Sequence, residues 1–265
     1  MRVNEPNFTG TPMPKDEPLA PNPQLGAMID YSVAAPVTSP VVVQIFDASG
    51  ALVNRFSSDD KVPPLDPSKL TVAPEWVVSP RPPAAAPGHH RFVWDLHYPR
   101  PAGFTDKDGF SGVWAPPGRY TVEVDIGGQR LRQPLEIVAD PRIRVSQADF
   151  EAQFRLARQI DQSRARVRNL LKEASALEDK LKGNAAVQGL VAQIDALTGL
   201  PVPTLGSAAP ETLQGISDRL DELNTAVEGS DGAPSPDSLQ GYALTSRALD
   251  AAAARWNAIA AAAGK

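Results

Sequence analysis

Apolar and polar positions along this chain follow two different periods. Before about residue 140 they alternate in short runs broken by turn residues. From residue 146 onward they recur every three or four residues. Ala27-Met28-Ile29-Asp30-Tyr31-Ser32-Val33 reads as a first strand, and Val41-Val42-Val43-Gln44-Ile45-Phe46, rich in β-branched residues, as a second. Asp47-Ala48-Ser49-Gly50 supplies turn chemistry, and Ala51 to Phe56 returns, so residues 41–56 form a hairpin. His90 to Leu96 alternates with Phe92 and Trp94 on one face, which makes Trp94 a buried anchor. Tyr120, Val122 and Val124 share a face opposite Thr121 and Glu123. Gly127-Gly128 is a tight turn, and Leu131 to Val138 is the last strand, where Pro134 requires an edge or a bulge.

The second half predicts four helices. Ser146 is the expected N-cap of the first, and its stripe runs from Phe150, Phe154, Ala157 and Ile160 through Val167, Leu170, Leu171, Ala174 and Leu177 to Leu181. Such a helix is about 55 Å long if unbroken. The second carries Val187, Leu190, Val191, Ile194 and Leu197 and stops at Gly199. The third has Pro210 near its first turn, then Leu213, Ile216, Leu220, Leu223 and Val227. The fourth is capped by Ser235, has Pro236 at its first position, and carries Leu239, Tyr242, Leu249, Trp256 and Ile259. Proline use agrees: 22 of the 27 prolines precede residue 145, where helix interiors are thereby excluded.

These patterns predict a multidomain β plus α chain. Residues 1–25, with six prolines, form an extended linker. Residues 26–141 form an antiparallel β-sandwich, and residues 146–265 form an α-helical bundle or a long helical hairpin with added helices. With 265 residues, 42% of them hydrophobic, each half can hold a core of its own.

Composition removes several function classes. A formal net charge of −5 argues against a general nucleic-acid binder. Cysteine is absent, which excludes disulfides, thiolate metal sites and cysteine nucleophiles. No apolar run is long enough for a membrane span. The start, Met1 to Pro6, lacks the apolar region of a signal peptide.

Candidate chemistry is sparse. Asp59-Asp60 and Asp106-Lys107-Asp108-Gly109 lie in loops, as solvated acids or a glycosidase pair, and Asp106-Lys107-Asp108-Gly109 also reads as a polar turn or the opening of a calcium loop that lacks its later ligands. His89, His90 and His97 are the only histidines; neighbours in a strand point to opposite faces, which makes joint zinc ligation awkward. There is no Gly-x-Ser-x-Gly elbow and no phosphate-binding glycine loop. Arg155, Arg158, Arg164, Arg166 and Arg168 read as the solvated face of the first helix or as a contact for an acidic partner. Catalytic, cofactor-binding and metal residues are therefore assigned to none.

Trp76, Phe104, Phe110 and Trp114 fall in two long loops, 57–88 and 98–117, beside Arg100. They read as a cap on the sandwich, as a protein contact, or as a sugar-stacking platform. The candidate interaction patch is Trp76, Arg100, Phe104, Phe110 and Trp114, since aromatics and arginine dominate interface energetics.

A family resemblance rests on Gly26-Ala27-Met28-Ile29-Asp30-Tyr31, Asp47-Ala48-Ser49-Gly50, Phe56-Ser57-Ser58-Asp59-Asp60, Pro87-Gly88-His89-His90-Arg91-Phe92-Val93-Trp94-Asp95-Leu96 and Pro116-Pro117-Gly118-Arg119-Tyr120-Thr121-Val122. These resemble the immunoglobulin-like domain of flagellar hook-capping type. More closely, residues 8–175 resemble the C-terminal region of bacterial BNR-repeat or sortilin-like β-propeller proteins, often labelled glycosyl hydrolases. The resemblance implies an immunoglobulin-like sandwich, export to the periplasm or outside the cell, and a protein partner, either the propeller domain or a separate protein. The propeller's Ser-x-Asp-x-Gly-x-Thr-Trp repeats are not found in these residues. The function expected is thus a non-catalytic accessory, docking or scaffolding module without a cofactor. The rival expectation is the C-terminal part of a glycosyl hydrolase-type enzyme acting on glycans.

Overall fold

Val43 and Ile45 are completely buried while Gln44 between them is half-buried, and this alternation makes Val42–Asp47 a strand. The computed structural model describes residues 25–62, 64, 68, 81–104, 111–182, 187–199 and 211–263. Its strands are β1 (Ala27–Val33), β2 (Val42–Asp47), β3 (Leu52–Ser57), β4 (Gly88–Trp94), β5 (Gly118–Ile126) and β6 (Gln129–Ile137). Four helices follow: α1 (Gln147–Leu181), α2 (Gln188–Thr198), α3 (Leu213–Glu228) and α4 (Pro236–Ala263). The proline-rich segment 1–24 and most of 63–80 lie outside the described residues.

The strands form two antiparallel sheets, a pair β1-β4 and a four-stranded sheet ordered β3-β2-β5-β6. Asp47 turns β2 into β3 as expected. Its carboxylate accepts the Ser49 and Ala51 N–H groups, each at 2.9 Å, and the Ser49 hydroxyl at 2.6 Å. Ile126 pairs with Gln129, leaving a two-residue turn in which Gly127 (φ 60°) and Gly128 (φ 85°) are both left-handed, a conformation that glycine takes without steric cost. Pro134 sits opposite Thr121 on edge strand β6, where its missing N–H breaks no ladder bond to a further strand. Ring contacts join the sheets: Phe56 to Phe92 at 4.8 Å and Trp94 to Tyr120 at 5.8 Å.

Two positions differ from the alternation. β4 runs from Gly88 rather than from His90, because its ladder with β1 continues to the Gly88–Val33 pair. Glu123 is as buried as the valines beside it, since Arg132 across the β5–β6 ladder lays its guanidinium on the carboxylate.

Local capping sets the helix ends. Ser146 and Asp149 form a reciprocal capping box at the start of α1. Gly199 ends α2 in the left-handed conformation, and the Ser235 hydroxyl accepts the Ser238 N–H at the start of α4. The third helix starts at Leu213 behind a Thr212 cap; Pro210 lies outside the described residues. The core of these helices joins Ile160 and Val167 of α1, Ile194 of α2, Ile216 and Leu220 of α3, and Leu249 and Trp256 of α4. Leu239 is exposed instead, because Ser238 is the buried residue in the first turn of α4.

The chain divides into two units, one of residues 1–98 and 117–140, the other of residues 99–116 and 141–265. The connection between β4 and β5 therefore belongs with the helices, although it sits within the stretch expected as a sandwich. Val113 explains why: it is 1% exposed and part of the helical core.

Candidate functional site

In the sheet unit, the groups able to do chemistry gather where β4 ends. Trp94 is fully buried, as its alternation with Phe92 predicted. Its indole N–H donates to the His97 carbonyl at 2.9 Å, and the Asn54 side-chain amide donates to the same oxygen at 3.0 Å. The Asp95 carboxylate accepts the His97 N–H at 3.2 Å, the local bond that turns an aspartate-led segment back on itself. Between them Leu96 has φ 63°, the one positive value among the described non-glycine residues. His97 Nδ1 lies 3.3 Å from an Asp95 carboxylate oxygen. Burial pushes the Tyr120 hydroxyl pKa up, and the nearby Tyr98 and Asp47 add to this, so it stays neutral.

The other candidate groups are built into turns and ladders. His89 Nδ1 meets the Ser32 hydroxyl at 2.6 Å, and His90 Nε2 meets the Ala86 carbonyl at 2.6 Å. Asp60 accepts the Ser57 N–H at 2.6 Å and closes the turn after β3. No group of three His, Cys, Asp or Glu side chains among the described residues is placed to hold a metal ion. Asp106 and Asp108 lie outside the described residues. Asp30 and Arg91 face each other across the β1–β4 ladder in a two-pronged pair at 2.6 and 2.7 Å, and the Arg91 hydrogen bond holds the Asp30 carboxyl below its usual range.

The helical unit holds the larger surprise. Arg164, expected on a solvated face, is completely buried. It bonds Asp161 of α1 at 3.0 Å and Asp221 of α3 at 2.7 Å. The cause is its position: four after Ile160 and three before Val167, it falls on the apolar stripe that packs against α3. The expected stripe had a gap there, which was the one signal for a buried polar group. Burial raises the Asp161 pKa despite the opposing pull of Arg164. Its Oδ2 and the Asn224 Oδ1 are buried without a hydrogen-bond partner among the described residues. Nearby, Gln153 of α1 donates to the Val227 and Ser230 carbonyls at the end of α3.

The aromatic segment lies against the same helix. The Phe104 ring centroid is 4.5 Å from Arg164 Cζ and 4.0 Å from Arg168 Cζ. The Trp114 N–H donates to the Glu228 carboxylate at 3.1 Å. Of the candidate patch, Arg100 is exposed, Phe104 and Trp114 are half-buried, and Trp76 and Phe110 lie outside the described residues. Phe104 and Trp114 are thus brought into one unit by helix α1 and the end of α3.

No helix among the described residues is long and apolar enough to cross a membrane. Set against known protein families, curated proteins and solved structures, the chain matches none.

Proposed function

We propose that this chain is a non-catalytic docking or scaffolding module whose partner is a protein, and that the partner is a β-propeller of BNR-repeat type. The observation that carries this reading is the use made of the reactive side chains. His90, His97, Asp47 and Asp60 each bond a backbone group at a turn or strand end, His89 is engaged by the Ser32 hydroxyl, and a group so occupied is poorly placed to move a substrate proton. The two sheets, joined through Phe56–Phe92 and Trp94–Tyr120, read as an immunoglobulin-type sandwich, and the four helices as a bundle. Arg100 is exposed and Phe104 and Trp114 are half-exposed, and arginine and aromatics are the residue types that anchor protein contacts.

Assay of the purified chain against a panel of aryl glycosides and sialosides tests the non-catalytic reading. The expected result is no hydrolysis above background. Turnover that disappears on Asp59→Asn or Asp60→Asn would overturn it and favour a glycan-processing enzyme.

A further inference from the structure

Helix α1 presents two arginines one turn apart, and a single aromatic ring lies against both: Phe104 is 4.5 Å from Arg164 Cζ and 4.0 Å from Arg168 Cζ. A guanidinium is drawn to the negative face of an aromatic ring, most strongly where water is excluded. Arg164 meets that condition, being fully buried with its charge balanced by Asp161 and Asp221. The residue before the ring is equally constrained. Gly103 has φ 88°, and a Cβ there would lie 3.1 Å from Arg168 Cγ, so a side chain is opposed by both the backbone conformation and the arginine stem. The Phe104 N–H closes a turn on the Pro101 carbonyl at 3.2 Å. Further along, Val113 enters the helical core and the Trp114 N–H reaches Glu228.

We propose that residues 99–104 and 111–116 strap the helical unit and complete it, with Gly103-Phe104 as the latch on the Arg164–Arg168 pair. The strap covers the buried Arg164 and fixes the guanidinium between its two aspartates. The helical unit is therefore made from two separate stretches of sequence, and residues 141–265 alone are incomplete. Phe104 also belongs to the docking patch, but hydrogen exchange of α1 reads only what holds the helices, so the two readings fail separately.

Hydrogen exchange of the 265-residue chain, read on α1 around residues 156–170 and on β1 as an internal control, tests it. Phe104→Ala should speed exchange in that part of α1 about tenfold and leave β1 unchanged. Phe104→Tyr should restore protection because it keeps the ring, whereas Phe104→Leu should not. Unchanged α1 protection in Phe104→Ala would overturn the proposal. So would Phe104→Leu protecting as well as Phe104→Tyr, a comparison that decides the matter even where the alanine variant fails to fold.

Discussion

The indole N–H of Trp94 lies 2.9 Å from the carbonyl oxygen of His97, three residues on, so one buried side chain both fills the sheet core and holds the turn that ends its own strand. Two losses follow from its removal. Trp94→Ala should destabilise the protein by about 3–5 kcal/mol through lost burial and a cavity. Trp94→Phe keeps most of the packing but gives up the hydrogen bond, and should cost about 1–2 kcal/mol. Urea denaturation measures both; an unchanged midpoint in the alanine variant would contradict the burial.

The buried Arg164 predicts an asymmetric mutational response. Arg164→Met leaves Asp161, itself 4% exposed, without its cation and should cost about 3–5 kcal/mol. Replacing Asp161 and Asp221 with leucine in the same protein removes the uncompensated charge and should recover most of that loss. Thermal unfolding of the single and triple variants distinguishes this from a surface pair, for which the single change would be nearly silent.

Acid should act on the two units in opposite directions. Partial burial works against ionisation of Asp47, but the Ser49 hydroxyl and the N–H groups of Ala51, Ser49 and Gly50 outweigh it, so its carboxyl titrates below the usual range. Asp30 is lowered by Arg91. Groups lowered in the fold stabilise it fully above the unfolded value of 3.8 and lose that contribution as pH falls through the folded one. Asp161 has the reverse sign: its pKa is raised, so its contribution is present below 3.8 and is lost as pH rises through the higher folded value. Between neutral pH and about 4, acid should therefore favour the helices, and below that it should weaken the sheets. Hydrogen exchange of β2 and α1 across that range checks it; parallel behaviour of the two would contradict the assignment. Asp161→Asn should abolish the gain in α1.

Local rules made most of the fold legible. The Ser146 and Ser235 caps, the Gly199 stop, the Gly127-Gly128 turn and the edge position of Pro134 each depend on near neighbours in sequence. What stayed hidden depends on partners far away. Arg164 looked solvated because Asp221, which neutralises it, lies on another helix 57 residues on. Residues 99–116 looked like a loop of the sandwich because Val113, Phe104 and Trp114 find their contacts on helices that start more than thirty residues later. The candidate patch mixed both cases, and Phe104 proved to have a partner within its own chain.

The docking role is the central claim, and calorimetric titration of the full chain with a purified BNR-repeat propeller domain encoded in the same genome tests it most directly. The account predicts saturable binding at about micromolar strength, weakened about tenfold by Arg100→Glu or Trp114→Ala while the fold is retained. No heat of binding at about 100 μM of either protein, or binding indifferent to both substitutions, would contradict it.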